Sequence, residues 1–209
     1  MTDHVEVFAD ITCPFTHVGL KRVVEHLDRV SDDVEVIVRA WPLEWVNGQP
    51  LVADIVEMKA GILDDQLGLS NFGGLDVEQW PDTTIPALNL AATAYEKDPA
   101  TGLAVSMELR TAVFEEGQNI ADRAVLAAIA AKHGLAAPAL EASPAVIADY
   151  EAGKEMGVIG SPHFFSQGTD FFCPALDIGH DESGGLTARF DPEGLQSFLD
   201  IVHPLEETA

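Results

Sequence analysis

The sequence predicts a mixed α/β fold in which one sheet is divided by a run of helices. Three observations carry that prediction. A β-rich run, Val5 to Ala9, leads through Cys13-Pro14 into a helix-like run, Val18 to Leu27, and then into a second β-rich run, Val34 to Ala40. From Leu51 to about Ala142 strand character is scarce and apolar residues recur at helical spacing. After Ser161-Pro162 the chain becomes β-rich again at Phe164-Phe165.

Each element has a local reason. Val34 to Ala40 is rich in β-branched residues and bounded by Ser31-Asp32-Asp33 and Trp41-Pro42, so it reads as a strand parallel to the first and reached through the helix. Asn47-Gly48-Gln49-Pro50 is a turn and marks a boundary. Gly61 to Thr84 reads as loop and short helix. Helices follow over Ala87 to Glu96, Leu103 to Glu115 and Arg123 to His133, the last capped by Asp122 and stopped by Gly134. Pro144 to Glu155 forms another, ending at Gly157. Asp170 to Ile178 is the next strand, and Pro192 to His203, capped by Asp191, closes the chain. No internal repeat or low-complexity tract interrupts this order.

Composition narrows the function classes. The 209 residues are 47% hydrophobic, enough for the core of one compact unit. No apolar run reaches the roughly 18 residues of a membrane span. The net charge of −24 makes nucleic acid and anionic membranes poor partners, because phosphate is bound by basic side chains. The acids are dispersed, which fits a solvated surface better than a docking tail. Met1 to Val5 has neither a basic flank nor an apolar signal segment, so the expectation is a cytoplasmic protein. Two cysteines in such a compartment point to reactive chemistry rather than stapling.

Cys13 is the residue on which the chemistry turns. A helix begins with N–H groups that lack intrahelical partners, and its dipole favours negative charge there. A cysteine at that point is favoured as its thiolate, the form that attacks disulfides and electrophiles. Pro14 suits the first helical turn, where its missing N–H costs nothing. The plainer reading is a small residue packed at a turn. A second segment, Met156 to Phe165, tips the balance, because an X-Pro bond in a tight turn entering a strand is where a cis peptide is kept.

Three stretches, Phe8 to Gly19, Phe114 to Asp122 with Val125-Leu126, and Gly157 to Phe165, carry a resemblance. The chain resembles the DsbA-like branch of the thioredoxin superfamily, which includes bacterial disulfide oxidoreductases, 2-hydroxychromene-2-carboxylate isomerases and kappa-class glutathione transferases. The resemblance implies a thioredoxin-like fold with an all-helical insertion between the βαβ half and the cis-proline half. Residues 1–48 and 144–209 would form the thioredoxin-like domain and 49–143 the insertion. It also implies a bacterial source and a cis Pro162 set against Cys13. One departure stands out: disulfide oxidases of the family carry Cys-x-x-Cys, whereas Thr16 stands at the second position here.

Cys13 and Thr16 are therefore the candidate catalytic pair, with Thr16 one turn on and able to donate to the sulfur. A hydroxyl cannot resolve a mixed disulfide, so the second thiol must come from elsewhere: glutathione, another small thiol or a partner protein. Pro14, Phe15, His17, Ser161, Pro162 and His163 are the candidate substrate-binding residues. His17, on the Cys13 face of the helix, would favour the thiolate as a cation or move a proton, or be a surface histidine. Ser161 would pair with substrate through its backbone, its hydroxyl facing the sulfur by family position. Cys173, flanked by aromatics, reads as a buried inert thiol. No metal site is expected, since short-spaced ligand pairs are missing, and no tightly bound cofactor is expected.

Three functions fit these residues. The first is a thiol-dependent oxidoreductase acting through Cys13 alone. The second is a glutathione-dependent isomerase or transferase on a small aromatic or polyketide-like substrate. The third is a non-catalytic binding module that keeps the fold. Ile62, Leu63, Leu67, Leu69, Phe72 and Trp80 fit a pocket lining or a homodimer face as well as plain core.

Overall fold

The computed structural model describes residues 3–30 and 34–202. Strand β1 (Asp3–Ala9) leads into helix α1 (Pro14–Val30), then strand β2 (Val34–Ala40). Helices α2 (Leu43–Asn47), α3 (Ala53–Leu67), α4 (Ile85–Lys97), α5 (Pro99–Phe114), α6 (Arg123–Lys132) and α7 (Pro144–Met156) follow, with a 3-10 turn at Val77–Gln79. Strands β3 (His163–Ser166), β4 (Thr169–Phe172), β5 (Leu176–His180) and β6 (Leu186–Phe190) precede helix α8 (Pro192–Val202).

The main sheet runs β2-β1-β3-β4. β1 and β2 are parallel, with Val5 opposite Val36 and Ala9 opposite Ala40, as a helical crossover requires. β3 lies antiparallel to β1, with Phe8 opposite His163, and β4 returns beside β3. Gln167 and Gly168 turn that hairpin with φ of 48° and 79°, the left-handed pair that matches the twist of the strands. Asp170 to Ile178 is not one strand. Cys173 takes a left-handed φ of 51°, so pairing breaks there and β5 forms a separate two-stranded sheet with β6.

Two apolar cores lie on the molecule's two sides. Val5, Val7, Leu20, Val23, Phe164 and Phe198 are buried between the sheet and α1 and α8. The other core joins α1 to the helices, through Val18, Leu63, Leu88, Leu109, Phe114 and Leu126. Helix α7 is locked to the sheet by polar contacts as well. Arg39 Nη1 donates to Asp149 Oδ1 at 3.0 Å and Arg39 Nε to Glu6 Oε1 at 2.7 Å, while the Ala40 N–H donates to Asp149 Oδ2 at 3.0 Å.

The 15-residue α3 starts at Ala53, ahead of the Gly61 to Thr84 stretch expected to be loop and short helix, and runs into it as far as Leu67; β6 has no counterpart in the expectation. The two elements meet: Gln66 of α3 donates from Nε2 to the Leu186 carbonyl at 3.3 Å and accepts the Ala188 N–H at 2.6 Å. Its amide thus acts as a strand partner along the edge of β6. Among the described residues no helix is long and apolar enough to cross a membrane. The Ser31-Asp32-Asp33 turn and His203 at the end of the last helix lie outside the described residues.

Candidate active site

Cys13 caps α1. Its carbonyl accepts the His17 N–H at 3.1 Å, and Pro14 takes the first helical position. The side chain is 4% exposed, and its S–H donates to the Ser161 carbonyl at 3.0 Å. That carbonyl belongs to the Ser161–Pro162 peptide, which is cis. In the resting thiol form the sulfur therefore occupies the acceptor that precedes Pro162.

Asp10 organises the loop that delivers Cys13. Its carboxylate is fully buried and receives four donors. Oδ1 accepts from the Thr12 N–H at 2.8 Å and the Thr12 hydroxyl at 2.7 Å. Oδ2 accepts from the Leu43 N–H at 2.8 Å and the Thr84 hydroxyl at 3.1 Å. A buried charge needs this degree of satisfaction. The Asp10 backbone continues the network, donating its N–H to Ser161 Oγ at 2.9 Å and accepting Arg110 Nη2 at 3.3 Å. Arg110 is itself fully buried, with Nη1 on the carbonyl and hydroxyl of Ser106 and Nε without a partner. Burial lowers its guanidinium to about 10, opposed chiefly by the Asp10 charge, so it stays a cation at neutral pH.

The Thr16 hydroxyl does not serve the sulfur. It lies 2.7 Å from Ser161 Oγ, behind the cleft, with Thr16 wholly buried. The Ser161 hydroxyl likewise turns to Asp10 and Thr16 rather than to Cys13. These bonds tie the first turn of α1 to the proline loop.

His17 is neither a surface histidine nor a cation beside the thiol. Its ring is 1% exposed, 4.9 Å from the Phe114 ring and 5.4 Å from that of Phe72. Nε2 faces the Asn71 carbonyl and Glu115 Oε1, both at 3.2 Å. Burial lowers the imidazole from 6.5 to about 4, despite the Glu115 carboxylate, so it is neutral at neutral pH. His163 is also turned away from the cleft. Its Nδ1 accepts the Ile159 N–H at 3.3 Å and its Nε2 lies 3.0 Å from Asp170 Oδ2.

Pro162 is buried against the early turns of α1, where a side chain at Gly19 would approach its ring to 3.8 Å and the Cys173 sulfur to 3.7 Å. Cys173 donates its N–H to the Pro162 carbonyl at 3.2 Å, and burial pushes its thiol strongly upward. It is 3% exposed and unpaired, as is Cys13.

Pro14, Phe15 and Ser161 share with Cys13 a cleft of about 390 Å³. Its opposite wall comes from the segment after β2: Leu51, Val52, Ile55, Val56 and Lys59. Among the described residues no group of three or more His, Cys, Asp or Glu is placed to hold a metal ion.

Asp10, Arg110 and Lys59 escaped the sequence reading. Asp10-Ile11-Thr12 is an Asx-turn spacing, which was the available signal for the first. For the second it was a single arginine amid the apolar residues of α5. Nothing local marked Lys59, because its meaning depends on the wall that α3 builds.

The family model for the DSBA-like thioredoxin domain matches residues 4–179. The chain belongs to that family. A search of curated protein sequences finds no match. Among solved structures, this DSBA-like chain is similar to a Nitrosomonas europaea protein with a provisional protein disulfide isomerase name, at TM-score 0.66 and 16% identity over 96% of this chain and 97% of that one. It is similar to the cytosolic disulfide reductase DsbM of Pseudomonas aeruginosa at TM-score 0.57 and 16% identity, over 94% and 97%. That reductase is also known with GSH. A 2-hydroxychromene-2-carboxylate isomerase aligns at TM-score 0.60 and 18% identity, over 81% and 88%. At these identities the neighbours show a shared fold.

Proposed function

We propose that this DSBA-like protein is a thiol-disulfide oxidoreductase that works through Cys13 alone, with a low-molecular-weight thiol as co-substrate. The observation that carries this reading is the placement of Cys13, at the head of α1, on the wall of a cleft and bonded to the carbonyl before Pro162. Thr16 holds the position from which a second cysteine would resolve the intermediate.

The exchange balances without an internal disulfide. Cys13 loses its proton and its sulfur attacks one sulfur of a disulfide R–S–S–R′. The Cys13–S–S–R bond forms as the original bond breaks, and R′–S⁻ leaves with the electron pair. A second small thiolate then attacks the R sulfur, forming a new disulfide and returning the Cys13 thiolate. Cys13 ends unchanged, and one thiol has replaced another. A reducing cytoplasm supplies such a thiol, and this reading places the protein there.

Intact mass after exposure to glutathione disulfide tests the reading. One glutathione adduct is expected on the unaltered protein, retained in Cys173→Ser and lost in Cys13→Ser. Thr16→Cys should turn that adduct into an internal disulfide. An adduct on Cys173, or none at all, would remove the proposal. A second reading, glutathione-dependent isomerisation or transfer on a small substrate, is favoured by the largely apolar cleft and by Thr16. In that case Cys13→Ser would keep glutathione binding, and no adduct would accumulate.

A further inference from the structure

The cleft beside Cys13 inverts the charge of the rest of the molecule. The chain carries 35 acidic and 11 basic side chains, yet no acidic residue lines this cleft and one lysine, Lys59, does. The sequence of α3 keeps that lysine unpaired along its own helix. The positions three and four residues away are Val56, Ile55, Ile62 and Leu63, so the acids of α3 stand on other faces. Among the described residues no carboxylate lies within ion-pair distance of Lys59 either.

Its surroundings are apolar. Lys59 Nζ sits 5.7 Å from the centre of the Phe15 ring, and Phe15 follows Cys13 by two residues. Val52 and Ile55 on the facing wall remain 48% and 49% exposed, large apolar side chains left open to solvent at the cleft. A half-buried lysine set among the apolar residues of a cleft is a recognition group for an anion whose body is apolar.

The geometry points to an amphipathic carboxylate as the ligand class of this cleft: a small aryl or acyl disulfide whose carboxylate meets Lys59 while its apolar body lies on Phe15, Val52 and Ile55 and its sulfur reaches Cys13. The inference rests on the reading of Cys13 as nucleophile and adds Lys59 as the residue that selects the substrate. The selection opposes the overall field of the molecule, which disfavours every anion.

Two reagents separate the claims: an aryl disulfide bearing carboxylates, bis(carboxy-nitrophenyl) disulfide, and an uncharged one, dipyridyl disulfide. Second-order rates with Cys13 would be measured for the full chain, Lys59→Met and Lys59→Arg, in the Cys173→Ser background. Lys59→Met should slow the carboxylate reagent about tenfold and leave the uncharged one within about twofold, as loss of one charge-assisted contact implies. Lys59→Arg should restore most of the difference. An unchanged ratio of the two rates overturns the inference, as does an equal fall in both. A neutral peptide disulfide that outpaces both reagents regardless of residue 59 would assign the cleft to a protein and also overturn it. If neither reagent modifies Cys13 in the parent, the nucleophile reading fails first and takes this one with it.

Discussion

Ser161 holds two buried polar groups with one hydroxyl, the Asp10 N–H and the hydroxyl of Thr16. Ser161→Ala leaves both without a partner in a site closed to water, and we expect a loss of about 1–3 kcal/mol in denaturant unfolding. Thr16→Val removes one group and keeps the shape, so its loss should be nearer 1 kcal/mol. A neutral result for both would mean that water reaches the loop. His17 gives a second expectation with a definite sign. The unfolded chain protonates this imidazole near 6.5, the folded chain only near 4. Stability held by the neutral ring is therefore complete above 6.5 and is lost as pH falls toward 4. Between pH 7 and pH 5 the protein should lose about 2 kcal/mol more than His17→Phe does, measured by urea midpoints at each pH. Parallel curves for the two proteins would contradict the burial described here. The same residue shows where sequence reading stops. Spacing placed His17 on the face of Cys13, but Phe72, Asn71 and Glu115, which fix its charge state, come from distant segments. Cys13 and Ser161-Pro162 were legible because helix termini and prolines act locally.

Helix α7 meets the sheet at Gly153, and the fit is close. A Cβ built there would lie 2.6 Å from Trp41 Cζ3 and 2.9 Å from Phe8 Cδ1. Alanine gains up to about 1 kcal/mol of helix propensity over glycine. Overpacking of a buried contact costs about 1–3 kcal/mol, so Gly153→Ala should be net destabilising in thermal melts. A stabilised variant would show that α7 can slide outward. This glycine reads in the sequence as an ordinary helix weakener, and only the rings beneath it explain its presence. The elements that sequence did reveal, β1, α1, β2, α4 to α7, β3 and α8, carry clear periodicity, caps or turn residues. Helix α3 did not, because its buried positions, Val56, Ala60 and Leu63, are few and lie among exposed Ile55 and Met58. The break at Cys173 was equally hidden, since a left-handed cysteine leaves no compositional trace.

At the scale of the whole molecule, the charge of −24 is a self-repulsion that salt relieves. The ion pairs at the surface, such as Lys132–Glu108 and Lys154–Glu151, are made by exposed lysines and contribute little to stability. Repulsion should outweigh them, so the melting temperature should rise by a few degrees as ionic strength goes from about 20 mM to about 200 mM. A falling melting temperature would give the ion pairs the larger share. The brace between Gln66 and β6 has a consequence at this same scale. Helix α3 bears Ile55 and Val56 in its first turn and Lys59 at its middle, and is tethered to β6 near its last residue. The family match closes at residue 179, before β6 begins. The nucleophile thus sits at the head of α1, whereas the aperture in front of it is gauged by a stretch of chain far along the sequence. Gln66→Ala would leave the reactive atom in place and slacken the calliper that decides what may approach it.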